Sequence, residues 1–260
     1  MRQTISAASP AGTYTTSAPL DTHHRDRRFF TRTIIVLALL FAAGFSWSTF
    51  VRTRPGVVAF GGPNLLPVVR WHAAVMTAWM LFLLLQTSLV AQRRTNLHRR
   101  LGIFGGFLAA ALVVSCWLVT FHARPLSTAT TPFFLPTPAS LQFAFIPTEE
   151  LIVFTILTAL GLYLRRSSAA HKRLILLGTL TLVTAGTTRI PLPPTLSFMT
   201  WYGVPEAIVV ALIMRHDWRT RQRIHPATLW GGALVVVGAV TRFWIAHTDI
   251  WSAIAARLSS

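Results

Sequence analysis

Long apolar segments alternate with short polar loops through most of this chain. The segments cover about residues 33–51, 67–91, 101–122, 143–164, 173–190, 199–215 and 227–246. A helix needs about 20 mostly apolar residues, with a range of about 17–25, to cross the hydrocarbon core of a bilayer. The pattern therefore predicts an all-α, polytopic transmembrane helical bundle of about seven helices, which occupies residues 33–246.

The basic residues indicate which loops are cytoplasmic. Residues 1–32 contain five arginines, and residues 93–100, 165–173 and 215–223 contain four basic residues each. The positive-inside rule assigns such loops to the cytoplasmic side, which predicts a cytoplasmic N-terminus and a C-terminus outside. The formal net charge of +17 is therefore a topology signal. It adds some attraction to anionic lipid and does not indicate a nucleic-acid partner.

Composition supports a membrane location. Hydrophobic residues make up 53% of the chain and charged residues 12%, whereas a soluble domain carries about 25% charged residues. Arginine outnumbers lysine 23 to 1, which is typical of a GC-rich bacterial genome and favours the bacterial inner membrane, with the lipid bilayer as partner. Residues 1–32 are predicted to form a disordered basic cytoplasmic tail. Residues 247–260 are predicted to form a short outer tail.

Ionisable residues occur inside segments that are otherwise apolar. The chain has only seven acids, and Glu149, Glu150 and Glu206 lie within or at the mouth of such segments. A charged group in a bilayer is costly and normally faces a bundle interior or a water-filled cavity. The sequence therefore predicts a polar ligand-binding site in the outer half of the bundle. Its predicted lining is His72, Trp79, Gln86, His122, Glu150, Arg189, Glu206 and Arg242.

Helical faces refine this prediction. Glu150 shares a face with Gly161, and we prefer it to Glu149, whose face is blander and more typical of lipid contact. The small residues Gly102, Gly106 and Ala110 recur every four positions. This spacing allows close approach of two helices and predicts a helix contact at that stripe.

Two loops repeat a pattern. RRTNLHRRLG (93–102) and RRSSAAHKRLI (165–175) each contain two arginines, a spacer, a histidine, two basic residues and a leucine. The H-R-R-L-G and H-K-R-L turns resemble those of a group of uncharacterised bacterial multi-pass membrane proteins, a resemblance that implies no particular activity. The bundle is also loosely similar to di-haem cytochrome b-like bundles, in which histidines pair across helices near both membrane faces.

The cytochrome resemblance implies haem b as a cofactor. His72 and His122 would then be axial ligands of an outer haem, and His98 and His171 would form an inner pair. Alternatively, His72 and His122 could hold a metal ion together with Glu150, since two histidines and one carboxylate are a plausible metal set. The same residues could instead act on a lipid or a quinone from the outer leaflet. Motifs for hydrolysis are lacking, because there is no H-E-x-x-H, no G-x-S-x-G and no cysteine pair.

Three function classes remain open from the sequence. The site could bind haem b or another small ligand for electron transfer. A second hypothesis is a proton-coupled small-solute transporter in which Glu206 titrates and Arg189 or Arg242 serves as counter-ion. A third is a non-catalytic assembly or scaffold subunit in which a buried ion pair only fixes helix register. The sequence decides neither between these classes nor the oligomeric state.

Overall fold

A computed structural model describes residues 18–52, 67–122, 138–190 and 198–259, and these residues form helices without any strand. The prediction of an all-α protein is confirmed. The helices are α1 (Ala18–Arg52), α2 (Pro67–Ala91), α3 (Thr95–Phe121), α4 (Pro138–Phe143), α5 (Phe145–Tyr163), α6 (Ser168–Thr187), α7 (Phe198–Arg221), α8 (Pro226–Ala246) and α9 (Asp249–Leu258).

Five segments of the described chain are long and apolar enough to cross a membrane. They are His24–Trp47, Pro67–Ala91, Thr95–Phe121, Leu141–Tyr163 and Pro226–Ala246. These spans make the chain a multi-pass membrane protein, as its apolar pattern predicts. Helices α6 and α7 have 20 and 24 residues and are comparably long, but their sequences are more polar.

Helix α6 is polar because it lies in the centre of the bundle. Helices α1, α5, α7 and α8 pack around it, and every residue from 176 to 184 is buried. Buried hydroxyl groups need hydrogen-bond partners. Thr181 donates to the main-chain oxygen of Glu150 at 3.2 Å, and Thr184 donates to Oε1 of Glu206 at 2.9 Å. The threonines of α6 therefore connect it to α5 and α7.

Glycines permit two close contacts in the bundle. A Cβ added to Gly44 of α1 would lie 1.8 Å from the main-chain oxygen of Gly186 in α6, so α1 and α6 touch through their backbones. A Cβ added to Gly105 of α3 would lie 2.6 Å from the Phe82 ring of α2. The predicted stripe that begins at Gly102 makes no contact as close as these, since a Cβ at Gly102 meets nothing within 4 Å and a Cβ at Gly106 lies 4.0 Å from Leu162 of α5.

The N-terminal region differs from the prediction of a disordered tail over residues 1–32. Helix α1 begins at Ala18, so residues 18–32 are helical. Asp26 is buried and forms ion pairs with other helices, which anchors this part of α1. Residues 1–17 lie outside the described residues.

The C-terminal region also differs from the predicted tail over residues 247–260, because it contains helix α9. The Thr248 hydroxyl caps α9 by accepting from the main-chain nitrogen of Trp251 at 3.2 Å. The buried Trp251 indole donates to the main-chain oxygen of Leu141 at 2.8 Å. Helix α9 therefore packs against α4.

Candidate functional site

The described helices bring three carboxylates together on one arginine. Arg242 of α8 is completely buried. Its Nη2 lies 2.8 Å from Oε2 of Glu149 and 3.3 Å from Oε2 of Glu206, and its Nη1 lies 3.3 Å from Oε1 of Glu150. Glu149 and Glu150 come from α5 and Glu206 from α7. We call these four residues the carboxylate cluster.

Local features of each helix position the cluster. Pro205 lies inside α7 and removes one main-chain donor immediately before Glu206. Gly238 lies one turn before Arg242 in α8 and leaves room for Glu149, because a Cβ at this glycine would lie 2.0 Å from Oε1 of Glu149. A residue without a Cβ at that position is therefore a condition for the contact between Glu149 and Arg242.

The cluster contains more acid than its arginine balances. Three ionised carboxylates and one guanidinium would leave two negative charges in a buried site. Arg189, in the turn that follows α6, is half-buried and interacts electrostatically with Glu150. Its guanidinium also lies 4.6 Å from the centre of the Phe45 ring. Even with Arg189 included, the acids exceed the bases by one, and burial of unbalanced charge is unfavourable.

Glu149 does not face lipid as its helical face predicts, because Glu149 and Glu150 are both buried and both pair with Arg242. On the Glu149 face, Ile156 and Leu160 are exposed as a lipid-facing stripe should be. Glu149 itself lies against Gly238 of the neighbouring helix. The helical face of Glu149 was assigned from the sequence of α5 alone. That assignment does not take account of the space beside Gly238 of α8 that accommodates Glu149.

The predicted residues of α2 form a separate buried stripe. His72 Nδ1 lies 3.0 Å from the Ser115 hydroxyl of α3. Trp79 donates to the Thr179 hydroxyl of α6 at 3.3 Å. Gln86 is buried, and neither amide atom has a hydrogen-bond partner among the described residues. These side chains line α2 where it faces the bundle, and no hydrogen bond of the described chain links them to the carboxylate cluster.

The two histidines of the predicted outer pair lie in different environments in the described chain. His72 is partly buried and bonded to Ser115, whereas His122 is exposed at the end of α3. Within residues 18–52, 67–122, 138–190 and 198–259, no group of three or more His, Cys, Asp or Glu side chains is arranged to hold a metal ion. The predicted set of His72, His122 and Glu150 is therefore not assembled.

The inner pair does come together. The rings of His98 and His171 have centres 6.3 Å apart. Both lie at the end of the bundle that carries the basic loops between α2 and α3, α5 and α6, and α7 and α8. We call this the basic end.

A second buried ionic network at the basic end was missed by sequence reasoning, which interpreted the arginines there only as a topology signal. Arg173 of α6 and Asp217 of α7 are completely buried and form an ion pair. The Thr228 hydroxyl donates to Oδ2 of Asp217 at 2.5 Å, and the main-chain nitrogen of His225 donates to the same oxygen at 3.1 Å. The sequence contains one signal for this network, because Asp217 is an acid within the basic segment 215–223.

Asp26 ties α1 to the same end. It pairs with Lys172 at 2.5 Å, with His216 at 2.7 Å and with Arg221 at 3.1 Å. The Phe29 ring stacks on the His216 ring with centres 4.0 Å apart. Asp26 therefore connects α1 to α6 and α7 and fixes the N-terminal part of α1 on the bundle.

An apolar groove runs between α7 and α8 beside the carboxylate cluster. It has a volume of about 820 Å³, and its lining includes Ala207, Ala239 and Phe243. The neighbouring residues Glu206 and Arg242 are fully buried and do not line it. The groove therefore brings apolar surface close to the cluster without opening it.

Comparison with known proteins gives no relative from which to transfer an activity. No protein-family model matches this sequence, and neither a curated protein nor a solved structure matches it. The case for function rests on the geometry of the described residues.

Proposed function

We propose that this chain is a proton-coupled transporter of small solutes in the bacterial inner membrane. The observation that carries the proposal is the convergence of three carboxylates on one fully buried arginine. A static ion pair that only fixes helix register requires one carboxylate for one arginine. Extra buried acids are costly unless they bind protons or a cationic group, and such residues mark proton relays and substrate paths in membrane proteins.

The proposal includes seven membrane spans, with the N-terminus in the cytoplasm and the C-terminus outside. Helices α6 and α7 join the five apolar candidates as the remaining spans. Their polar side chains have partners inside the bundle, as in the pairs Arg173–Asp217 and Thr184–Glu206. A helix whose polar groups are satisfied by neighbouring helices is compatible with a position in the membrane. The basic loops then lie on the cytoplasmic side.

Proton exchange follows from the charge balance of the site. While the site is closed, at least one of the three carboxyl groups carries a proton, because the positive charges nearby are fewer than the acids. Glu206 is our choice for the exchanging group. It is fully buried, accepts from Thr184 and follows Pro205 in α7. Loss of its proton strengthens the ion pair of Arg242 with Glu206 of α7 relative to its ion pairs with the glutamates of α5. This change would couple protonation to the packing of α5 and α7.

Infrared spectroscopy on purified protein tests the proton-binding step without knowledge of the solute. The wild type should show a protonated carboxylic acid band that disappears as the pH is raised, and Glu206→Gln should remove or strongly reduce that change. Asp249→Asn is the matched control, because Asp249 is an exposed carboxylate at the start of α9. A wild type without a titrating carboxylic acid band contradicts the proposal.

Transport itself is tested in proteoliposomes that contain a pH-sensitive dye. Sugars, amino acids, organic anions and amphiphilic amines are added in turn, the last because of the apolar groove beside the cluster. We expect one class to drive proton movement that falls at least tenfold in Glu206→Gln and stays unchanged in Asp249→Asn. If Glu206→Gln alters only thermal stability and no solute moves protons, a scaffold role is the better explanation.

A further inference from the structure

The two repeated loop motifs meet at their equivalent histidines. His98 follows the first arginine pair and begins the basic end of α3, and His171 does the same for α6. Their ring centres are 6.3 Å apart and their planes are inclined by 75°. Neither ring takes part in the ion pairs of Asp26 or Asp217. We propose that His98 and His171 together bind one first-row transition-metal ion, a site separate from the carboxylate cluster.

The hydrogen bonding of His171 leaves one of its nitrogens available. Its Nδ1 lies 2.8 Å from the main-chain oxygen of Gly161. A carbonyl oxygen only accepts, so Nδ1 carries the hydrogen and Nε2 of the neutral ring has a free lone pair. A bond from the other ring nitrogen to a carbonyl is the usual support of a metal-binding histidine, because it fixes the tautomer and the ring orientation.

His98 also has an unused nitrogen. Its Nδ1 is buried and has no hydrogen-bond partner among the described residues, and the Gln86 main chain lies near the ring. Each of the two rings thus has one nitrogen without a hydrogen-bond partner among the described residues. A buried polar atom without a partner is unusual and calls for a ligand, an ion or a water.

Gln86 lies at the same level of the bundle. Two helical turns before Gln86 in α2, Trp79 contacts Phe154 of α5 and Thr179 of α6. Helix α5 runs parallel to α2 and α6 runs antiparallel to both. Seven residues further along α2, Gln86 is therefore level with Gly161 and close to the level of His171. Its side chain is only 6% exposed, and neither amide atom has a partner in the described part of the chain. Its oxygen supplies a third potential ligand.

The two rings are close enough to share an ion after a small movement. Metal–nitrogen distances of about 2.0–2.1 Å in a tetrahedral site hold two coordinating nitrogens about 3.3 Å apart, and with each ring centre about 1 Å further back the centres lie about 5 Å apart. The observed separation of the ring centres is 6.3 Å, so the two rings approach each other by about 1 Å when they bind the ion. Imidazole nitrogens suit zinc, copper, iron and nickel. Two histidines and one amide leave at least one coordination position for water.

The chemistry favours a cation over an anion. A phosphate or carboxylate would need hydrogen-bond donors from both rings, whereas the donor of His171 is already used by Gly161. The arginines of these loops, such as Arg99 and Arg165, are exposed. Their charges are therefore screened by water and counter-ions and reduce the affinity for a cation only in part. The unoccupied nitrogens are acceptors, and acceptors bind a metal ion.

Zinc binding by tag-free protein in detergent tests the proposal. After treatment with a chelator, the wild type should bind one equivalent of Zn²⁺ in competition with a chromophoric chelator. His98→Ala and His171→Ala should each weaken binding at least tenfold. The matched control is His247→Ala. His247 is exposed at the other end of α8 and has the same Nδ1 contact to a main-chain oxygen, that of Phe243 at 2.6 Å.

Gln86→Glu gives a result that misfolding does not produce. A carboxylate in place of the amide should tighten Zn²⁺ binding about tenfold, and Co²⁺ should give a visible absorption band that is absent in His98→Ala. Three outcomes overturn the proposal: no Zn²⁺ bound by the wild type, equal binding in the double variant of His98 and His171, or a haem b band in the purified protein that these substitutions remove. The last would make the histidines haem ligands.

Discussion

Replacing Gly238 by alanine tests how Glu149 reaches Arg242. A Cβ at position 238 would lie 2.0 Å from Oε1 and 3.0 Å from Cδ of Glu149. The carboxylate must then withdraw by at least about 1 Å from its place beside α8, which takes it away from Nη2 of Arg242. Loss of an interaction with a charged group costs about 1.5–3 kcal/mol. Alanine is better than glycine inside a helix by about 1 kcal/mol, so a net loss of about 0.5–2 kcal/mol is expected.

Thermal unfolding in detergent measures this loss. About 2–4 °C per kcal/mol applies to chains of 150–250 residues, so Gly238→Ala should lower Tm by about 1–8 °C. Gly102→Ala is the control, since a Cβ there meets nothing within 4 Å and should stabilise α3. In a Glu149→Ala background, Gly238→Ala should no longer destabilise. The reasoning is refuted if Gly238→Ala behaves like Gly102→Ala, or if its effect is the same in both backgrounds.

Two further substitutions test the packing of the bundle. Gly44→Ala places a methyl group 1.8 Å from the main-chain oxygen of Gly186 and should cost about 1–3 kcal/mol of overpacking in a denaturant titration; an unchanged midpoint would mean that α1 does not touch α6. Asp217→Asn leaves the charge of Arg173 buried without balance and should cost about 3–5 kcal/mol. Adding Arg173→Met should restore much of that loss, and a double variant less stable than Asp217→Asn would contradict the assignment.

The positions of the long helices could be predicted because an apolar run of fixed length is a strong signal. The burial of Arg242 and Glu206 could be predicted for a related reason, because a charged residue inside an apolar segment normally faces the interior of the bundle. Both are completely buried. The all-helical class and the existence of several spans follow from the same one-dimensional pattern.

Glu149 and Asp217 were missed because their partners come from other parts of the chain. The contact of Glu149 depends on Gly238, which lies 89 positions later in the sequence. Asp217 lies among exposed arginines of its own segment. Its buried partner, Arg173, comes from another basic segment, and the sequence does not distinguish it from the exposed arginines. A periodic pattern indicates which face of a helix is apolar, but it contains no information about the space opposite a given residue.

The polarity of α6 and α7 has a consequence for how the protein is made. On the proposed seven-span topology, α6 emerges from the ribosome before Asp217 and Glu206, which lie in α7. A charged residue near the middle of a lone inserting helix costs about 2.5–3.5 kcal/mol, and Glu206 meets Arg242 only when α8 follows. The translocon should therefore release α7 and α8 into the bilayer as one group. A nascent chain that ends after α7 should leave that helix uninserted.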